Sequence, residues 1–178
     1  MHTLRKIRTY WGNLSVVNFL SFHGTVAAIN DFFVTANNEG QDCYKLLSVE
    51  NQNQETVNFV IAPTTYFVNH AIVSAGDQVT GYYDGNAPVP LIYPPQYRAL
   101  IIVKEIPYQH VKVSYFNSQF VSADGQLKLN ITPNTPILLI NGQVFSKNPA
   151  NRNLIVIYGP TTRSIPGQTT PYQIIVWC

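Results

Sequence analysis

The chain has 178 residues, of which 46% are apolar and only 11% charged, less than half the charge of an average soluble domain. That balance excludes a disordered chain, and nine acids in all exclude a coiled coil or helical bundle. A net charge of +2 is not the basic excess of a dedicated nucleic-acid protein.

The chain opens with a basic stretch containing Arg5, Lys6 and Arg8. It has the look of the start of a signal peptide, but Asn13, Ser15, Asn18 and Ser21 interrupt the apolar run that follows, and no small-x-small site ends it. No 18-residue apolar segment occurs, so no membrane span and no general export are expected. Residues 1–20 read as an extended N-terminal arm, able to dock on a neighbour by strand addition through Leu14 to Leu20.

Helical periodicity is weak throughout, whereas strand signals recur at short, even spacing. Phe22–Ile29 and Cys43–Val49 read as strands, and Asn51–Gln54 joins the second to Thr56–Ile61 as a hairpin. Gln78–Tyr83 and Tyr97–Val103 follow, then Val111–Phe116, Leu127–Ile131, Pro136–Ile140, Leu154–Tyr158 and Tyr172–Trp177. Asp124-Gly125 and Asn141-Gly142 are tight-turn pairs. About ten short strands predict an all-β fold.

Two segments match without a gap at a constant offset: Val57–Thr65 against Leu127–Thr135, with Pro63 and Thr65 facing Pro133 and Thr135. In both halves a Pro-rich loop also separates a strand ending in Tyr from an apolar strand starting in Tyr. Duplication explains this better than chance. The expected organisation is the arm (1–20), a first β-domain (21–106) and a second, related β-domain (107–178), with a boundary near Glu105–Tyr108. Each domain reads as a small OB-like β-barrel or, alternatively, a sandwich or jelly roll. Room for the barrel helix is limited to Asn69–Ala75.

Chemistry is sparse. His2, His23, His70 and His110 share no metal-ligand spacing with one another or with a cysteine, and no nucleophile elbow, P-loop or dinucleotide fingerprint occurs. Asp124 is the last acid in the chain, which leaves the second half poorly supplied for paired-carboxylate chemistry. His70 beside Asp77 is the only acid–base pairing to consider, as a third and weakest reading. No catalytic residue, metal or cofactor is expected.

The loop Asp84–Arg98 combines prolines with Tyr83, Tyr93, Tyr97 and Arg98, residue types that suit stacking on bases or sugars and equally suit protein contacts. Its simplest reading is that Leu91, Ile92 and Tyr93 fold back over the end of the barrel. Tyr158, Arg163 and Tyr172 are the matching set in the second half. Cys43 and Cys178 form no metal or redox motif; they are either two unrelated thiols or, with Cys178 at the chain's end, sites of a crosslink between molecules.

Charge is unevenly divided. Arg5, Lys6 and Arg8 give residues 1–13 a charge of +3; three cations against eight acids give residues 14–106 −5; and five cations against Asp124 give residues 107–178 +4. Such a molecule can associate head to tail with its own copies.

The stretches Cys43–Glu50, Thr56–Tyr66 and Asn151–Tyr158 resemble those of β-rich proteins from spore-forming Gram-positive bacteria that have no assigned activity. The resemblance implies a link to spores and their surface layers or appendages, which fits a missing export signal. The expected function is a non-enzymatic structural protein that binds itself into a fibre, appendage or coat. The alternative is an OB-like module for single-stranded nucleic acid or oligosaccharide.

Overall fold

The computed structural model describes residues 16–33 and 42–178 and is almost entirely β. The first strand, β1 (Phe19–Asp31), is longer at both ends than its apolar run suggests. Its first residues pair with a later strand of the same chain, Phe19 with Asp84 and Leu20 with Tyr83. Phe19 and Leu20, assigned to the arm, therefore belong to the chain's own sheet. That removes the C-terminal part of the segment expected to add to a neighbour; Leu14 lies outside the described residues. The polar Asn18 and Ser21 are accommodated at the strand's entry and on its open positions rather than ending it.

β2 (Lys45–Glu50) and β3 (Thr56–Ile61) form the expected hairpin. The Asn51 side-chain oxygen closes its turn by accepting from the amides of Asn53 (2.9 Å) and Glu55 (3.0 Å). β4 (Tyr66–Phe67) leads into a single 3₁₀ turn, Val68–His70, which overlaps the start of the only room for a barrel helix, Asn69–Ala75. β5 (Gln78–Asp84) follows. The single strand expected over Tyr97–Val103 is two, β6 (Gln96–Arg98) and β7 (Ile101–Lys104), because the chain changes partner at Ala99-Leu100. The seven strands form one sheet in the order β4-β7-β5-β1-β2-β3-β6. β1 serves both sides of it: Phe19–Thr25 pair with β5, and Thr25–Asp31 with β2 across a bulge after Val26. Gly24 sits at that exchange, where a Cβ would collide with the Glu50 carbonyl.

The second half contains β8 (His110–Phe116), β9 (Leu127–Leu129), β10 (Ile137–Leu139), β11 (Arg152–Tyr158), β12 (Gly167–Thr169) and β13 (Gln173–Val176). They form a four-stranded sheet, β10-β13-β11-β8, and a two-stranded one, β12-β9. Much of the pairing scheme of the first half recurs in the second, although β2 has no counterpart strand there. β3 and β6 are parallel, as are β9 and β12; β4 and β7 are parallel, as are β10 and β13; β5–β7 and β11–β13 are antiparallel. The matched Pro/Thr segments make the same turn. The Thr65 hydroxyl accepts from the Ala62 amide at 2.9 Å, and the Thr135 hydroxyl from the Thr132 amide at 3.0 Å.

Among the described residues no sheet closes into a barrel. The Pro-rich loops return the chain alongside β3 and β9 in parallel. The sheets are consequently mixed and open.

Each half has its own core, Val26, Leu47, Val49, Phe59 and Ile102 in the first and Phe116, Leu129, Leu154, Val156 and Ile174 in the second. A third core lies between them. Val68 of the 3₁₀ turn and Ile101 and Val103 of β7 pack with Ile155 and Ile157 of β11 and Ile175 of β13. β7, β11 and β13 are thus buried on both faces, which is why their sequences run apolar without alternation. The boundary near Glu105 separates two stretches of chain but not two loosely tethered bodies.

A chain joined by that third core should unfold in urea as one cooperative transition. Ile155→Ala, at a fully buried position of the third core, should lower stability by about 2–5 kcal/mol. Two resolved transitions in the parent chain would contradict the shared core.

Candidate interaction site

An aromatic ladder runs from the first core to the surface. The buried Phe59 on β3 lies beside Tyr83 of β5, with ring centroids 6.2 Å apart. Tyr83 in turn stacks on Tyr97 of β6 at 3.9 Å and 5° between planes. The parallel register puts Tyr97 directly across from Phe59, so the ladder follows from pairing rather than from chance contact. Burial, with Tyr97 alongside, pushes the Tyr83 hydroxyl above its ordinary range. Gly81, opposite the Phe59 ring, leaves no room for a Cβ.

Tyr83 and Tyr97 line a groove of about 720 Å³. Pro88 and Pro90 are on its loop side, and Ile140 and Trp177 come from the second half. Its charged side chains are Arg98 and Asp84. Arg98 donates to the Thr64 hydroxyl at 3.3 Å, and Asp84 accepts from the Asn18 and Asn86 amides at 3.1 and 2.9 Å. The two do not pair with each other.

The loop from β5 to β6 does not fold back as expected. Leu91, Ile92 and Tyr93 stand in solvent, with 102%, 53% and 85% of their surface exposed. Pro88, Pro90, Pro94 and Pro95 fix φ on both sides of these three residues and remove amides that could tie them down. Tyr93 is therefore separated from Tyr83, Tyr97 and Arg98, which the structure does bring together.

The remaining expected residues lie elsewhere. Tyr158 packs beside His110 at 5.5 Å, and Tyr172 directs its hydroxyl onto Gly159. Arg163 is exposed in a loop whose apolar representative is Ile165, 82% exposed. None of these three lines the groove. Arg5, Lys6 and Arg8 lie outside the described residues. Cys43 and Cys178 are exposed, free thiols.

His70 and Asp77 do not form an acid–base pair. The His70 ring meets Tyr66 edge-on, while Asp77 accepts from the Ser74 amide (2.8 Å) and pairs with Lys104 (3.2 Å). The Ser74 amide, and after it Lys104, outweighs partial desolvation and holds the Asp77 carboxyl low. A cluster that spacing did not reveal is His23–Thr80–Glu105: Nδ1 of His23 lies 2.9 Å from Glu105 and 3.1 Å from Thr80. Both oxygens meet the same ring nitrogen, so no relay runs through the imidazole. Among the described residues no three potential ligands gather around a metal position.

Comparison with family models, with curated proteins and with solved structures returns no match.

One carboxylate has a measurable consequence. Desolvation raises the Asp124 pKa, but Lys112 at 2.5 Å, the Ser122 hydroxyl and the Gln126 amide overcome it and bring the group to about 2 from 3.8. Its stabilisation is present above the unfolded value near 4 and is lost as pH falls towards 2. The side chain is half exposed, so after solvent screening the contribution is about 1 kcal/mol. Asp124→Asn should therefore be about 1 kcal/mol less stable at pH 7, with the difference vanishing near pH 2 in urea titrations.

Proposed function

We propose that this protein is a non-enzymatic building block that binds copies of itself into a fibre, appendage or coat. The observation that carries the reading is the exposed apolar tip Leu91-Ile92-Tyr93 on a proline-stiffened loop. Large apolar side chains held away from the body are what a contact surface needs, because they bury area on binding at little entropic cost. Ile165 provides a smaller counterpart in the second half. We attribute the recurring strand pairing to duplication of one β-domain, giving two related units of sandwich type.

Charge supports the same reading. The ion pairs among the described residues lie within one half: Asp31–Lys45, Asp77–Lys104 and His23–Glu105 in the first, Lys112–Asp124 in the second. Lys128, Lys147, Arg152 and Arg163 have no acid partner among the described residues, while Asp42, Glu50, Glu55 and Asp84 have no cation. Opposite leftover charges on the two halves favour association between copies. The exposed Cys43 and Cys178 suit a covalent crosslink between neighbours, and the resemblance to spore-former proteins suggests a spore surface as its setting.

The groove itself favours a second reading, a site for oligosaccharide or single-stranded nucleic acid, since Tyr97, Arg98 and Trp177 offer aromatic surface and one cation.

Negative-stain microscopy and light scattering of the purified chain should show assemblies that grow with concentration. After air oxidation, in which dioxygen takes the two electrons and two protons of each thiol pair, non-reducing gels should show ladders that reductant removes. A strict monomer across salt and concentration would refute self-assembly. A shift of mixed-sequence oligonucleotides at low salt, abolished in a Tyr97→Ala, Arg98→Ala variant, would instead support the second reading.

A further inference from the structure

Resting on the self-association reading, we propose that the first contact between copies is an exchange across a twofold axis, in which the Leu91–Tyr93 tip of each copy enters the Tyr97 groove of the other. The tip and the groove belong to one loop. Residues Ala87–Pro90 form a wall of the groove, and the next three residues leave it for solvent. The tip does not occupy its own groove: Leu91 is wholly exposed, and none of the three tip residues lines the groove. An apolar projection fixed beside an apolar recess is self-complementary. A twofold axis satisfies both at once, because what one copy offers the other receives.

Charge fits the same operator. Arg98 and Asp84 both line the groove, and within one chain neither neutralises the other. Across a twofold axis Arg98 faces Asp84 of the second copy, and the reciprocal pair forms with it. Area is sufficient as well. A tyrosine alone contributes about 150–250 Å², so a tip with Leu91 and Ile92 offers about 400 Å². The opposed groove wall adds about half as much again and the axis doubles the sum, to about 1,200 Å², the lower end of the range for a stable interface.

Strand addition fits this site poorly. β6 is a three-residue edge preceded by Pro94 and Pro95, which offer no amide to an incoming strand. Side chains in a groove are the contact that remains.

Sedimentation velocity on the full chain tests the proposal. The parent should show a concentration-dependent dimer. Leu91→Asp combined with Tyr93→Asp should weaken it at least tenfold with an unchanged melting temperature, since both positions are solvent-exposed. Arg98→Glu and Asp84→Lys chains should each fail to dimerise alone, through repulsion at the two reciprocal pairs. Mixed in equal amounts they should recover a heterodimer, because both cross-pairs are then of opposite sign. Recovery also shows that each variant is folded. If the parent associates but the tip variant associates equally well, the groove contact is wrong and self-assembly stands on another surface. If the mixture is no better than its components, the twofold pairing of Arg98 with Asp84 is wrong. A parent that stays monomeric at every concentration overturns both this contact and the assembly.

Discussion

The structure depends on a face-to-face contact of two open sheets. Each half presents an apolar outer face that an isolated sheet would have to leave in water. Val68, Ile101 and Val103 cover Ile155, Ile157 and Ile175, and each face removes the other's exposure. This contact lets short strands of four residues, β7 and β13, bury three residues each. It also carries Ile140 and Trp177 of the second half to the groove that Tyr83 and Tyr97 line in the first. The candidate site is therefore a product of the contact rather than of either half alone.

Much of this was legible in the amino-acid sequence, and the rest failed for physical reasons. The hairpin at Asn51–Gln54 was readable because Asn side chains bond their own backbone two and four residues on. The matching turns were readable because a Pro/Thr turn demands particular residues, and Thr65 and Thr135 do the same work in both halves. Whether the strands close into a barrel is not written in their number and spacing. That choice is made by where the Pro loops deliver the chain. The split of Tyr97–Val103 into β6 and β7 was invisible for a related reason, since an apolar run buried on both faces carries no period.

At the site, residue types were more informative than positions. Tyr83, Tyr97 and Arg98 are close in sequence and come together because β6 leads directly into β7, the partner of β5, as expected of a loop and its flanks. Tyr93, equally close, is carried away by the prolines that stiffen the loop. The His23–Glu105 pair joins the first strand to the end of the first half, and only the sheet order makes it a neighbour. No local motif signals such a pair.

The two projecting loops differ in strength: one presents Leu91, Ile92 and Tyr93, the other Ile165 alone. Under the proposed self-association, two loops that differ in this way would give one chain two adhesive points of unequal affinity. Unequal valences impose an order of events, because the stronger point saturates at concentrations where the weaker is still vacant. In the proposed assembly, growth would proceed from a discrete intermediate rather than from single chains, and the concentration at which polymer appears would be governed by the weaker point. The single apolar side chain at position 165 would thus set when such a material forms, while the loop of the first half decides what it is made from.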